Sequence, residues 1–297
     1  MVDAQLLVSI SCITYNHVKY IEQCIEGFLK QETNFKIEIL IHDDASTDGT
    51  KEIIEAYHKR YPEFIFPIYQ TENQYSKGIT AVNYTFNYPR CKGKYIALCE
   101  GDDFWTDPLK LQKQIDFLEA NREYNLCGHK ASVLKMNGDI IDNSHYVNKN
   151  DELTFDDVAT KRKNIPTSSI VFRNNVNFPP WVYKVYGGDR ALIFLNAQVG
   201  KIKILNFNAS VYRIHEGGVE QRYKNNKFAL PMRNIKEQFI YYNVLSKRAH
   251  KKTIFNNIIY NHFYILIWSL LKINLKIFFI SLFSLFSFLI FHTIKIK

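Results

Sequence analysis

Short apolar runs alternate with amphipathic stretches through the first hundred residues. Residues 6–13 form a continuous apolar run that stops at Thr14-Tyr15-Asn16, the pattern of a buried strand. Ile21, Ile25, Phe28 and Leu29 then recur at helical spacing. A second apolar run, 37–41, ends at His42-Asp43-Asp44-Ala45-Ser46-Thr47-Asp48-Gly49-Thr50, a segment with turn and N-cap chemistry. Ile53, Ile54, Tyr57 and Tyr61 mark a second helix closed by Pro62. Residues 64–69 read as a third strand, and Pro67 assigns it to an edge or an irregular position. A short helix is expected over 81–88, then a strand over 95–99. This β-α-β-α-β-α-β order predicts an α/β sheet with right-handed crossovers.

The later pattern is looser. A helix opens near Pro108, with Leu111, Ile115 and Leu118 at helical spacing. Residues 126–136 read as a strand with a hairpin signal at Asn137-Gly138. Residues 142–165 are polar, with one short helix begun by Thr154. Strands are expected over 168–173, 203–207 and 209–214, and a helix follows Gly188-Asp189-Arg190. From Ile235 the chain is helical and then strongly apolar.

Composition changes the picture in one respect. The chain of 297 residues carries a formal charge of +9. From Arg222 onward there are 13 Lys/Arg and a single acid, Glu237, so the remainder is slightly acidic. A basic tail on an acidic body argues against a nucleic-acid partner. Five widely spaced cysteines include no Cys-x-x-Cys, which suits neither a disulfide framework nor zinc and fits a reducing cytoplasm. No secretory leader is expected before the first strand.

The candidate chemistry is carboxylate chemistry. The strand at 95–99 ends in Glu100-Gly101-Asp102-Asp103. Such a cluster at the carboxyl edge of a parallel strand is either a divalent-cation site or an acidic turn preceding a helix. Asp43 and Asp44 end the second strand, so both clusters can serve one ligand. Taken singly, Asp189 and Asp48 read as helix caps, His215 as a loop or core histidine, and Ser168, Ser169 and Arg173 as plain strand. Trp105 fits the core and an acceptor site equally. Arg222, Lys224 and Lys227 form a solvated basic loop or a lid.

Together, residues 8–16, 41–50 and 100–112 resemble the family-2 glycosyltransferases in content, order and spacing. Ile13 stands where many members have Pro, and Glu100 where many have Asp. The resemblance implies a GT-A-type, Rossmann-like mixed α/β sheet flanked by helices. It implies a nucleotide-sugar donor held by Thr14, Tyr15, Asp43, Asp44 and Asp102. It further implies Mn²⁺ or Mg²⁺ on Asp103, with Asp102 and His215 beside it, and Asp189 as base for inverting transfer. The absence of Gln-x-x-Arg-Trp points to adding one sugar or a few. Gly-x-Gly-x-x-Gly, the P-loop, His-Glu-x-x-His and Gly-x-Ser-x-Gly are absent too. An inactive binding subunit and a sugar-nucleotide pyrophosphorylase are the rival expectations.

The expected organisation is a transferase domain over 1–230 and a helical tail over 231–297. The nucleotide half is 1–125 and the acceptor half 126–230. Residues 277–294 carry no charge, and lysines flank them. Two helices, about 254–271 and 277–294, are expected to dock on an anionic membrane surface, or to enter it as a re-entrant hairpin, rather than span it. The acceptor is then a glycan or glycolipid, and the location the cytoplasmic face of the cell membrane.

Overall fold

Strand β1 (Leu6–Thr14) is the centre of a four-stranded parallel array. On one side it pairs with β2 (Lys36–Asp43), which pairs with β3 (Ile65–Tyr69). On the other side it pairs with β4 (Tyr95–Leu98). Helix α1 (Ile21–Leu29) follows β1, and α2 (Thr50–Arg60) follows β2. Val8, Ile10 and Cys12 are buried on one face of β1, while Ser9 and Ser11 are buried on the other. Both faces are covered, which explains the continuous apolar runs. Pro67 lies on β3 at the sheet edge, where its missing N–H costs no ladder bond.

The computed structural model describes residues 5–142, 152–159, 165–185, 187–218, 228–245, 248–272 and 274–295. The chain divides into two compact units, 1–215 and 216–297.

In the first unit, β5 (Phe104–Trp105) and α3 (Lys110–Ala120) follow the acidic turn. The sheet continues through β6 (Tyr124–Leu134), whose hairpin partner β7 (Ile140–Asp142) follows Asn137-Gly138. Strand β8 (Glu152–Leu153) leads to α4 (Phe155–Ala159). Thr154 and Asp157 cap each other's backbone N–H at 3.1 Å, so the short helix begins where expected. Strand β9 (Val171–Arg173) lies antiparallel between β4 and β6. Helix α5 (Gly188–Val199) precedes β10 (Lys201–Arg213), which runs parallel to β6 and antiparallel to β5 and β8. The sheet is therefore mixed, with helices packed against it, as the resemblance implied.

Three local expectations change. The helix expected over 81–88 is a π-helical turn, Asn83–Asn87, followed by a 3₁₀ turn, Tyr88–Arg90. Buried Asn87 donates to the carbonyls of Cys12 and Leu40, and Pro89 offers no helical N–H. The two strands expected over 203–214 are one strand with irregular pairing around Asn208. The strand expected from Ser168 begins at Val171, after a 3₁₀ turn.

The second unit contains α6 (Ala229–Val244), α7 (Arg248–Leu271) and α8 (Leu275–Lys295). Among the described residues no helix is long and apolar enough to cross a membrane.

Candidate active site

Parallel pairing of β1 and β2 puts Thr14 opposite Asp43, so both strands end at one level. The loops beyond them are tied together. The Asn16 N–H donates to Ser46 Oγ at 2.8 Å, and the Thr47 N–H donates to Asn16 Oδ1 at 2.8 Å. Asp48 accepts from the Val18 N–H at 3.0 Å and from the Thr50 N–H at 3.1 Å. It thus caps the start of α2 while anchoring the loop after β1. Asn16 (φ 55°) and Ala45 (φ 64°) both adopt left-handed backbone. For Ala this is strained, and such strain persists where surrounding bonds over-determine a functional loop.

Asp43 and Asp44 divide their work. Asp43 accepts from the Ser46 hydroxyl and, at 3.3 Å, from its N–H. Burial pushes its carboxyl above the usual range, and Asp44 and Asp48 add to this against the Ser46 bonds. Asp44 accepts from the N–H groups of Gln74 (2.8 Å) and Tyr75 (3.0 Å), so its carboxylate shapes the 73–76 loop. Tyr15 is exposed at the mouth.

The acidic turn lies beside these loops. The Gly101 N–H donates to the Ile13 carbonyl at 2.9 Å. A Cβ at Gly101 would stand 2.7 Å from Thr14 Oγ1, so only glycine allows this approach. Asp102 and Asp103 then point to different partners. Asp103 is buried, and its Oδ1 accepts the Arg213 N–H at 2.9 Å. Burial pushes its carboxyl well above the usual range, reinforced by Asp102 and Glu100. Asp102 instead meets His215 Nε2 at 2.9 Å and His17 Nε2 at 3.8 Å, both through Oδ2. Burial disfavours its charge, but the His215 hydrogen bond and the two imidazoles hold its carboxyl below the usual range. Burial also lowers the His17 pKa, against the attraction of Asp102.

Ligand atoms of His17, Asp102 and His215 lie within 4.8 Å of one another, close enough for one metal ion. Asp102 Oδ1, His17 Nδ1 and Thr14 Oγ1 are buried and without a hydrogen-bond partner. Orphaned polar atoms of this kind mark a place for a ligand or an ion. Two imidazoles and a carboxylate suit a divalent transition-metal ion. Asp103 stands outside this group of donors. The sequence reading missed His17, although it directly follows Thr14-Tyr15-Asn16. It also missed Arg213, two residues before His215. Arg213 Nε donates to the Asp102 carbonyl at 2.9 Å, and its guanidinium lies 4.7 Å from the Tyr20 ring centre.

Asp189 sits in the first turn of α5, half-buried. The Tyr84 hydroxyl donates to the Gly188 carbonyl at 2.7 Å, and neighbouring Asn83 accepts from the Ser11 hydroxyl at 2.7 Å. The start of α5 is thereby tied to β1. Asp189 and Glu100 both act on the buried Tyr88 phenol, whose pKa is raised chiefly by burial.

The remaining candidates serve the core. Trp105 is buried, and its Nε1–H donates to the Ser168 carbonyl at 2.8 Å. Ser168 and Ser169 are fully buried. Arg173 donates to the Tyr124 carbonyl and the Tyr95 hydroxyl, clamping the opposite end of the sheet. Arg222, Lys224 and Lys227 lie outside the described residues.

A profile described as glycosyl transferase family 2 matches residues 9–177. The chain belongs to glycosyltransferase family 2. An uncharacterized protein from Mycobacterium tuberculosis is 36% identical over 212 residues, covering 71% of this chain and 60% of that protein. A putative teichuronic acid biosynthesis glycosyltransferase from Bacillus subtilis is 33% identical over 158 residues, 53% of this chain and 58% of that protein. This family-2 chain therefore spans about three-fifths of the length of these relatives. Its fold is similar to that of S. aureus TarS 1-349 solved with UDP-GlcNAc. The TM-score is 0.62 at 18% identity, over 87% of this chain and 73% of the other.

Proposed function

We propose that this chain transfers a sugar, with inversion, from a nucleoside-diphosphate sugar to a glycan or lipid-linked acceptor in cell-surface polysaccharide or lipopolysaccharide assembly. The observation that carries the reading is the convergence of His17, Asp102 and His215 beside the tied loops that follow β1 and β2. The likeness to a relative named for teichuronic acid biosynthesis and to a fold solved with UDP-GlcNAc supports the donor class, UDP or dTDP sugars being favoured.

Tyr15, Thr14 and Asp43 face the base and ribose of the donor, and Asp44 keeps the neighbouring 73–76 loop in shape. Asp102, His215 and His17 would hold a divalent cation, with Asp103 acting from behind as the residue that fixes the turn. When bound, the cation supplies Lewis-acid stabilisation of the diphosphate. Transfer is a single in-line displacement. Asp189 takes the proton of the acceptor hydroxyl as its oxygen bonds to the anomeric carbon. The bond from that carbon to the diphosphate oxygen breaks, and the electron pair leaves with the nucleoside diphosphate. All five cysteines are free, which suits work on the cytoplasmic side of a cell membrane.

The test is titration of UDP into the protein with and without Mn²⁺, followed by a nucleotide-sugar panel with membrane acceptors. Mn²⁺-dependent UDP binding and release of nucleoside diphosphate are expected. Release of pyrophosphate, or binding without turnover across the panel, would overturn the proposal.

A further inference from the structure

The second unit is apolar on much of its outer surface as well as inside. Within α7 and α8 the enclosed side chains are mixed: Ile254, Ile258, Ile265 and Phe288 are buried, and with them His262, Ser269 and Ser281. His262 Nε2 meets Ser284 Oγ at 3.2 Å across the hairpin, and the Ser269 hydroxyl donates to the Leu266 carbonyl at 2.9 Å. The outward positions are apolar. Phe283 is 75% exposed, Tyr260 68%, Leu271 67%, Phe286 62% and Phe279 61%. On α8, Phe279, Phe283, Phe286 and Ile290 follow one another at helical spacing, so they form a continuous stripe. A water-facing hairpin places its aromatics inside. One that has an apolar interior and still carries a continuous stripe of phenylalanine outside is arranged for an apolar surrounding, where buried histidine and serine also help to join helices.

The charge pattern names that surrounding. The single acid after Arg222 is Glu237, which is fully buried and pairs with Arg233 at 3.5 Å. Exposed Arg248 and Lys252 lie at the start of α7, and exposed Lys272 and Lys276 flank the hairpin turn. Cations thus border both ends of the apolar band and are absent from its middle. A second copy of the chain would bring the same cations against these. An anionic lipid surface complements them, with lysine stems reaching from the acyl boundary to the headgroups. No described helix is fit to cross a membrane, so the hairpin meets the surface side-on.

We infer that the α7–α8 hairpin is a lipid-docking element that lies in one leaflet of an anionic membrane. The argument rests on the second unit alone and stands or falls apart from the transferase reading.

The experiment is flotation of the purified full chain with phosphatidylcholine vesicles containing phosphatidylglycerol, against phosphatidylcholine alone. Binding to the anionic vesicles is expected to be at least about tenfold tighter. Phe279→Gln/Phe283→Gln/Phe286→Gln should weaken it at least about tenfold, with helical circular dichroism and UDP affinity unchanged. Lys272→Ala/Lys276→Ala should remove much of the preference for anionic lipid while sparing the apolar stripe. No flotation of the wild type would overturn the inference, as would undiminished flotation of the triple variant. So would a soluble dimer that the triple variant dissolves and that ignores vesicles.

Discussion

Asp102 and Asp103 are neighbours with opposite tasks. Asp103 is enclosed and spends its carboxylate on the Arg213 N–H, whereas Asp102 meets two histidines and keeps one oxygen without a partner. Asp102→Asn is therefore expected to abolish Mn²⁺-dependent UDP binding in calorimetry while leaving the denaturation midpoint nearly unchanged. Asp103→Ala leaves a buried N–H unpaired and should cost about 1–3 kcal/mol in urea unfolding. Asp189→Asn should preserve UDP binding and lower turnover at least a hundredfold, the usual size of a general-base contribution. Retained turnover would remove Asp189 as the base. The sequence reading favoured Asp103 as ligand because adjacent acids are indistinguishable until the turn's direction is known. His17 was hidden for a similar reason, since its partners Asp102 and His215 are remote in the chain.

At the scale of elements, the acidic turn depends on what lies beneath it. Gly101→Ala puts a Cβ against Thr14 Oγ1 and should displace the turn from β1. Donor affinity is expected to fall at least about tenfold, a shift of 1.4 kcal/mol, in the same UDP titration. Helix α3 begins at Lys110, whose fully buried ammonium lies 3.9 Å from the Trp105 ring centre and donates to Gln114 at 2.8 Å. Burial lowers its pKa from 10.5 to about 7. The folded protein then binds fewer protons than the unfolded chain between pH 7 and 10.5, so this group makes stability rise with pH across that window. Below pH 7 the full penalty of the buried charge remains. Lys110→Met should remove this slope. The wild-type-minus-variant difference in urea stability, measured from pH 6.5 to 10, isolates it from the buried thiols, which titrate in the opposite sense. An unchanged slope would show Lys110 to be hydrated. The strands were legible because β1, β2 and β4 are buried on both faces and read as unbroken apolar runs. The segment 81–90 was not, since Asn87 and Pro89 bend it through long-range bonds to β1 and β2. Nor was the continuity of β10, because its pairing slips near Asn208 without a break in the strand.

For the molecule as a whole, two compact units predict two unfolding events in calorimetry. UDP with Mn²⁺ should raise only the transition of the first. At a hundredfold excess over its dissociation constant the gain is about 2.7 kcal/mol. A single transition that UDP shifts entire would show the units to unfold together. The helical, apolar and basic character of the tail was legible from its sequence pattern. The enclosed His262, Ser269 and Ser281 were not, because their inward orientation depends on how α7 meets α8.

The link through Arg213 also bears on the order of synthesis. The acidic turn leaves the ribosome first, and the strand that organises it follows 110 residues later. A nascent chain holding β1, β2 and β4 already has every carboxylate of the turn, but neither the backbone that steadies Asp103 nor the imidazole of His215. Until β10 docks, those acids repel one another without a keystone. The proposed cation site is therefore completed only when β10 and His215 are in place.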